Sequence, residues 1–120
     1  MSPSMIRYLK SSNESIRKEY EIIVNDILTA LRLAYMIENQ DENIDKLEHI
    51  AKLERIIEEG DITKNTRYSQ LVSDKKINQT MATALLNDTY LKKSILQSIG
   101  ELVKYHSLRE LQQEVKIEEM

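Results

Sequence analysis

Between residues 16 and 37 the apolar side chains recur at alternating intervals of four and three residues. The residues that keep this spacing are Ile16, Tyr20, Ile23, Ile27, Ala30, Ala34 and Ile37. Residues so spaced lie on one face of an α-helix, which predicts a helix with a broad apolar stripe. Ser2 is placed to cap this helix with Pro3 in its first turn, and the pattern ends near Glu38. The segment 1–13 carries few apolar residues and is expected to project or fray.

The same criterion predicts two further helices. The second opens near Glu42 after a short polar connection, and Gly60 marks its end because glycine is common just past a helix terminus. Apolar residues continue at helical spacing up to Val72, so a kinked helix is the open alternative, and we favour the break near Gly60. The third helix runs from about Asp74 into a polar tail, 112–120, that is expected to fray. Gly100, inside this third helix, is expected to mark close packing against a neighbour.

The predicted architecture is all-α, an antiparallel up-down-up bundle of three long helices forming a single domain over residues 1–120. Two Gly and one Pro leave little material for the tight turns of a sandwich or barrel. Because three long helices make a thin bundle, apolar residues at the flanks of each stripe need a further cover. A homodimer, or docking onto another helical domain, is therefore expected. The interface residues predicted for this contact are Tyr20, Val24, Leu31, Tyr35, Leu85 and Ile99.

Charge and composition exclude several classes of function. The formal net charge of −3 gives no bulk electrostatic reason to bind nucleic acid, so no nucleic-acid partner is expected. The absence of Cys excludes a disulfide framework and a cysteine nucleophile. Neither a glycine-rich phosphate loop nor a nucleophile elbow is present, so the chain is predicted to be non-catalytic. The most apolar stretch, 27–37, is too short for a membrane span and no signal peptide precedes it, which favours a cytoplasmic location.

Asn87 and Asp88 are the least ordinary polar pair. Asp88 falls on the apolar stripe of the third helix, where a carboxylate is costly unless it has a partner such as a Lys, a Tyr or a backbone donor. A buried network that fixes the helix register and a functional site remain equally open. The two histidines, His49 and His106, are interpreted as helix-surface residues.

Two acidic pairs, Asp41 with Asp45 and Glu54 with Glu58, each lie one helical turn apart, so each pair could supply ligands for a divalent metal. Like charges at this spacing repel weakly unless a cation bridges them, and carboxylate oxygens suit hard cations. The alternative is a solvated acidic face neutralised by nearby lysine and arginine. No other cofactor is expected.

Two segments carry a family resemblance. Residues 72–91 read Val-Ser-Asp-Lys-Lys-Ile-Asn-Gln-Thr-Met-Ala-Thr-Ala-Leu-Leu-Asn-Asp-Thr-Tyr-Leu, and three residues separate Leu53-Glu-Arg-Ile from Gly60-Asp61. The first resembles the start of the last helix of PhoU-like domains, as found at the cytoplasmic end of bacterial sodium/phosphate cotransporters. The second is similar to their Leu-Glu-Arg-Ile-Gly-Asp motif, with three extra residues inserted.

The resemblance implies a helical regulatory domain that acts in phosphate transport through contact with a transporter or signalling partner. Such domains often bind metal through acidic pairs one turn apart. Asp88 matches one acidic position, but Lys92 stands where the second acid belongs, whereas Glu54 and Glu58 retain the spacing. The resemblance also implies tethering to the inner face of the membrane as part of a longer chain. The competing hypothesis is a free-standing helical adaptor or structural protein that binds its partner through an apolar helix face.

Overall fold

The computed structural model describes residues 2–39, 43–60 and 65–119, and the described residues form helices without any strand. The helices are α1 (Pro3–Leu9), α2 (Glu14–Asn39), α3 (Asn43–Gly60), α4 (Asn65–Ser73) and α5 (Gln79–Glu119). The prediction of an all-α protein is confirmed. The described residues form more helices than the three long ones predicted, because the first predicted helix is divided and α4 is separate from α3. The segment 61–64, where we predicted the break, lies outside the described residues.

The N-terminal segment packs onto the bundle instead of projecting from it. Ser2 caps α1, since its Oγ accepts a hydrogen bond from the backbone N–H of Met5 at 3.2 Å, and Pro3 follows in the first turn. The helix ends at Leu9, and Asn13 then caps α2 by accepting from the N–H of Ile16 at 3.2 Å. Both Met5 and a second α1 residue, Tyr8, are buried, so the expectation of a projecting or frayed start was wrong.

The α4–α5 connection is a turn built from specific backbone hydrogen bonds. The N–H groups of Lys76 and Lys75 donate to the carbonyls of Leu71 and Val72, each at 3.0 Å, and Lys75 has a φ of 58°. This is the Schellman arrangement of a helix C-terminus, with lysine in the left-handed position that usually holds glycine. Helix α5 therefore begins at Gln79 and not near Asp74 as predicted. Its N-cap is Asn78, whose Oδ1 accepts from the N–H of Met81 at 2.8 Å.

The two long helices run side by side in the same direction. The side chain of Asn13 donates to the carbonyl of Lys76 at 2.9 Å, Tyr20 contacts Asp88, and Asp26 contacts Lys92. The α2 and α5 positions in these pairs increase together, so α2 and α5 are parallel. Helix α3 begins four residues after α2 ends and packs against both α2 and α5, so it runs antiparallel to them. Helix α4 packs against α5 in the same antiparallel sense.

Two hydrophobic clusters lie one after the other along the bundle, which measures 66 × 23 × 23 Å. The first joins α1, α2, α4 and α5 around the buried residues Met5, Tyr8, Ile16, Tyr20, Ile23, Tyr68, Ile77, Ala82 and Leu85. The second joins α2, α3 and α5 around Ala30, Leu33, Ile37, Leu53, Leu96, Ile99 and Val103. Helix α5 contributes to both clusters and sets the length of the molecule, because its 41 residues span about 60 Å.

Gly100 lies within the second half of α5, at the contact with α3. It is buried, and a Cβ atom placed on it would lie 2.7 Å from Cδ1 of Ile57. The absence of a side chain at position 100 thus lets Ile57 pack directly against the α5 backbone, as the sequence predicts. The backbone of α5 is helical to Glu119, and fraying of the tail 112–120 stays a prediction.

Candidate functional site

Asp88 lies between the two hydrophobic clusters on the face of α5 that meets α1 and α2. It is only 4% exposed. Its Oδ1 accepts a hydrogen bond from the hydroxyl of Ser2 at 2.8 Å, and its Oδ2 accepts one from the phenol of Tyr20 at 2.6 Å. Each carboxylate oxygen has its own donor, which offsets the cost of burial. The neighbouring Asn87 is exposed.

The environment of Tyr20 holds its phenol in the neutral form. Burial raises the pKa of Tyr20 far above its ordinary value, and the hydrogen bond to Asp88 and the negative charge of that carboxylate raise it further. The ring of Tyr8 lies 5.3 Å from the Tyr20 ring, centroid to centroid, and completes the apolar enclosure. Tyr20 therefore acts as a hydrogen-bond donor to Asp88 and does not ionise at neutral pH.

One turn further along α5, Lys92 is buried as well. Its side chain is 2% exposed, and Nζ donates to Oδ2 of Asp26 at 3.0 Å, while the Asp26 side chain remains 36% exposed. A buried ammonium group needs such a partner because desolvation strongly disfavours its charge. The residue that interrupts the acidic motif of the resembled family is thus part of the α2–α5 contact.

Two polar contacts also connect helix α4 to these buried polar residues of α2 and α5. Both Nε and Nη2 of Arg67 donate to one carboxylate oxygen of Glu19, a buried α2 residue. The hydroxyls of Tyr68 and Thr89 are hydrogen-bonded at 2.8 Å across the α4–α5 contact. Burial raises the pKa of Tyr68 and the hydrogen bond with Thr89 partly opposes this effect. This polar layer, formed by Glu19, Tyr20, Asp26, Arg67, Tyr68, Asp88, Thr89 and Lys92, fixes how α2, α4 and α5 align.

Beyond the polar layer, one face of the α2–α5 pair has no helix over it in the described part of the chain. On α2, an apolar stripe continues at helical spacing from Tyr20 through Leu31 to Tyr35. On α5, a second stripe continues from Asp88 through Leu91 to Leu102. Since Tyr20 contacts Asp88, the two stripes are neighbours, and both start where the N-terminal end of α1 lies.

The side chains of these stripes are partly or largely exposed. Exposure reaches 50% for Leu31, 69% for Tyr35 and 65% for Leu102. Lys104 lines the groove between α3 and α5, so its side of α5 faces α3. Leu102 lies two residues earlier, about 200° around the helix axis from Lys104, so the stripes face away from α3. We call this surface the uncovered α2–α5 face. Its exposed members are Leu31, Tyr35, Leu91 and Leu102, and its half-buried members are Val24, Ile27 and Ile95.

The predicted interface residues divide into two groups in the structure. Tyr20, Leu85 and Ile99 are buried within the single chain, so they belong to its core and are not accessible to a partner. Leu31 and Tyr35 are exposed on the uncovered α2–α5 face, and Val24 is half-buried at its edge. Periodicity identified the apolar stripes correctly, but it does not distinguish stripe positions covered by the chain's own helices from those left open.

The candidate metal ligands Glu54 and Glu58 are exposed and line a groove of ≈ 610 Å³ between α3 and α5. Glu101 lines this groove too, together with the cation Lys104. Within the described residues, no three His, Cys, Asp or Glu side chains converge closely enough to hold a metal ion. His49 and His106 are both half-buried and each makes a polar or electrostatic contact.

Comparison with known proteins identifies no relative. No family model matches the chain, and neither the curated proteins nor the solved structures gave a match. Among residues 2–39, 43–60 and 65–119, no helix has the combination of length and apolar character that crossing a membrane requires.

Proposed function

We propose that this chain is a non-catalytic helical interaction domain whose uncovered α2–α5 face binds a second copy of the chain. The supporting observation is the contiguous set of exposed apolar side chains on two parallel helices, including Leu31, Tyr35 and Leu102. Single-chain proteins in water rarely expose an apolar surface of this kind unless it is an interaction site. The polar side chains nearest to it, Asp88 and Tyr20, bond to each other and are not open to a substrate.

The contact of α1 indicates what this face accommodates. In the first half of the bundle α1 covers the continuation of the same groove, with Met5 and Tyr8 buried against α2 and α5. The groove thus already accepts one amphipathic helix along part of its length. A second copy would present the same pair of apolar stripes. Two-fold symmetry, the commonest symmetry of homodimers, would pack the α2–α5 pair of one copy against the α2–α5 pair of the other.

The resemblance to PhoU-like domains supports a more specific role, the regulation of phosphate transport. The bundle is compatible with an up-down-up arrangement of three helices. In that arrangement α2 is the first helix, α3 and α4 together form the divided second helix, and α5 is the third. Residues 72–91, which carry the resemblance, comprise the end of α4, the α4–α5 turn and the first part of the long final helix. In this role the domain would work by contact with a transporter on the inner face of the membrane.

The dimer is tested by measuring mass in solution with sedimentation equilibrium over a range of concentrations. We expect the wild-type chain to dimerise and the double variant L31E/L102E to be a monomer, because two charges would be buried at the contact. Leu47→Glu is the matched control, since Leu47 is equally exposed on α3, away from this face. A wild-type chain that stays monomeric at every concentration contradicts the dimer.

The transport role needs a separate test in cells. Fractionation of source cells with an antibody against this domain should give a band in the membrane pellet that is several times heavier than 14.1 kDa. Phosphate uptake should then change in the L31E/L102E variant but not in Leu47→Glu. A soluble band at the mass of the chain, with uptake unaffected, would leave the adaptor function and reject the role in phosphate transport.

A further inference from the structure

A second groove, of ≈ 410 Å³, lies between α2 and α3. It is distinct from the uncovered α2–α5 face, because it opens on the side of α2 that meets α3. Three cationic side chains, all exposed, line it: Arg32, Lys52 and Arg55. Three apolar side chains also line the groove: Leu33, Met36 and Ile56.

The groove is positive in a chain whose formal net charge is −3. None of its described lining residues is acidic. Lys52 is partly neutralised by Glu48, whose carboxylate lies 3.6 Å away. Neither Arg32 nor Arg55 forms an ion pair with an acidic side chain of the described residues, so both guanidinium groups keep their donors for another molecule.

Helix α3 separates charges of opposite sign between its two sides. The charged lining of the α3–α5 groove on one side is three glutamates, Glu54, Glu58 and Glu101, and one lysine, Lys104, whereas that of the α2–α3 groove on the other side is cationic. A charged partner would therefore be directed to one side of α3 and repelled from the other. Complementary potential of this kind favours one binding site over alternatives.

The apolar residues decide which kind of anionic partner fits. Met36 is 37% exposed at a position one helical turn after Arg32, and Ile56 directly follows Arg55. A small inorganic anion would contact the guanidinium groups and leave these side chains uncovered. A helix with apolar residues on one side and carboxylates beside them would cover Met36 and Ile56 and reach both arginines.

We propose that the α2–α3 groove binds an acidic amphipathic helix of a partner protein. Apolar side chains of that helix, three or four positions apart, rest against Met36 and Ile56. Glu or Asp residues that flank them accept charge-assisted hydrogen bonds from Arg32 and Arg55. The inference is independent of the proposed dimer, because no residue is shared between the two surfaces.

The probe is a fluorescein-labelled helical peptide in which Leu recurs every three or four residues and the remaining positions are mostly Glu. We expect saturable binding, measured by fluorescence anisotropy at low salt, that weakens as salt increases. The double variant R32E/R55E should bind at least about tenfold more weakly, which corresponds to about 1.4 kcal/mol. The matched control K104E/R109E carries the same change in net charge elsewhere and should bind like the wild type.

Two further measurements establish where the peptide lies. The chain has no cysteine, so Thr29→Cys at the groove and Ser94→Cys on α5 can each carry a single dye. Energy transfer from the bound peptide should be stronger from position 29. Circular dichroism checks that R32E/R55E is folded. If it is not, the neutral double variant R32Q/R55Q is used in its place, and a smaller loss of affinity is expected.

Several results would overturn the proposal. One is an equal loss of affinity in R32E/R55E and K104E/R109E, which would show that peptide binding depends only on the net charge of the protein. Others are equal binding of a peptide with Lys in place of Glu, or competition by inorganic pyrophosphate with no binding of the peptide. Loss of peptide binding in L31E/L102E alone would place the helix on the uncovered α2–α5 face instead, whereas loss of dimerisation in that variant leaves this proposal intact.

Discussion

The phenol of Tyr20 donates a 2.6 Å hydrogen bond to Oδ2 of Asp88, a residue 68 positions later in the chain. The other oxygen of the same carboxylate binds Ser2, which is 86 positions away. One buried side chain of α5 therefore connects both α2 and the cap of α1. Since a carboxylate without its donors is costly in an apolar environment, this connection makes the alignment of the three helices specific.

Replacing Tyr20 with Phe should destabilise the protein. The substitution keeps the ring but leaves Oδ2 of Asp88 without a donor, and lost hydrogen bonds to charged groups cost about 1.5–3 kcal/mol. We expect a decrease of that size in the free energy of unfolding, measured with urea. Tyr8→Phe is the control, since Tyr8 packs against Tyr20 in the same cluster and its hydroxyl forms no hydrogen bond with residues 2–39, 43–60 or 65–119. Equal effects of the two substitutions would contradict a special role for the Tyr20–Asp88 contact.

Stability should decrease at alkaline pH because two tyrosines are held neutral. The pKa values of Tyr20 and Tyr68 are raised in the folded chain, whereas unfolded tyrosines ionise near pH 10. Below that pH both states are protonated and the full stability is present. Above it the unfolded state loses protons that the folded state keeps, so the free energy of unfolding falls by up to about 1.4 kcal/mol per pH unit for each tyrosine.

Urea unfolding of the wild type and of Tyr20→Phe between about pH 9 and about pH 11 measures this effect. The variant should show a shallower decrease, because one of the two groups is gone. Absorbance of tyrosinate provides a second measurement, in which Tyr20 should ionise only as the protein unfolds. Parallel slopes for the two proteins would show that Tyr20 does not titrate in this way.

The two partners of the Asp26–Lys92 ion pair should respond unequally to substitution. Asp26→Ala leaves a buried ammonium group without its carboxylate and should cost about 3 kcal/mol of stability. Lys92→Met replaces that group with an apolar chain of similar length, and the exposed part of Asp26 remains hydrated, so we expect a cost below about 1 kcal/mol. Thermal or urea unfolding compares them. The double variant D26A/K92M should recover most of the loss, and an Asp26→Ala variant as stable as Lys92→Met would contradict this view.

Lys75→Gly should stabilise the chain. Lys75 occupies the left-handed region with a φ of 58°, where a side chain costs about 1 kcal/mol relative to glycine. We therefore expect the midpoint of urea unfolding to rise by the equivalent of roughly 0.5–1 kcal/mol. Lys76→Gly is a matched control in the same turn, and it should give no gain. If both substitutions lower stability, the entropy that glycine adds to the unfolded chain outweighs the strain relieved at position 75.

Several features follow from the sequence because each depends on local chemistry. The cap at Ser2, the helical character of residues 16–37 and the place of Asp88 on an apolar stripe need only propensity and spacing. Gly100 is a further example, because an isolated glycine in a helical pattern commonly has a packing reason. The separation of α1 from α2 depends on Asn13 acting as a second cap, a signal present in the sequence that a search for apolar spacing alone passes over.

The rest depends on tertiary contacts that a single sequence does not contain. Tyr20 and Leu31 follow the same helical spacing, yet Tyr20 is buried by α1 and Leu31 is exposed. Which stripe positions remain exposed is decided by the short α1, whose packing back onto α2 and α5 is not visible in the apolar spacing. The burial of Lys92 is similar, since lysine is among the residues least often buried and its partner lies 66 positions earlier.

The contribution of α5 to both hydrophobic clusters determines when the chain can fold during synthesis. Leu85 closes the first cluster, and Leu96, Ile99 and Val103 close the second. A nascent chain that ends before Leu85 has α1–α4 with neither core completed and with the α2 stripe open along its whole length. Stable structure must therefore wait for the translation of α5, and until then the emerging helices are the form of this protein most exposed to chaperones and proteases.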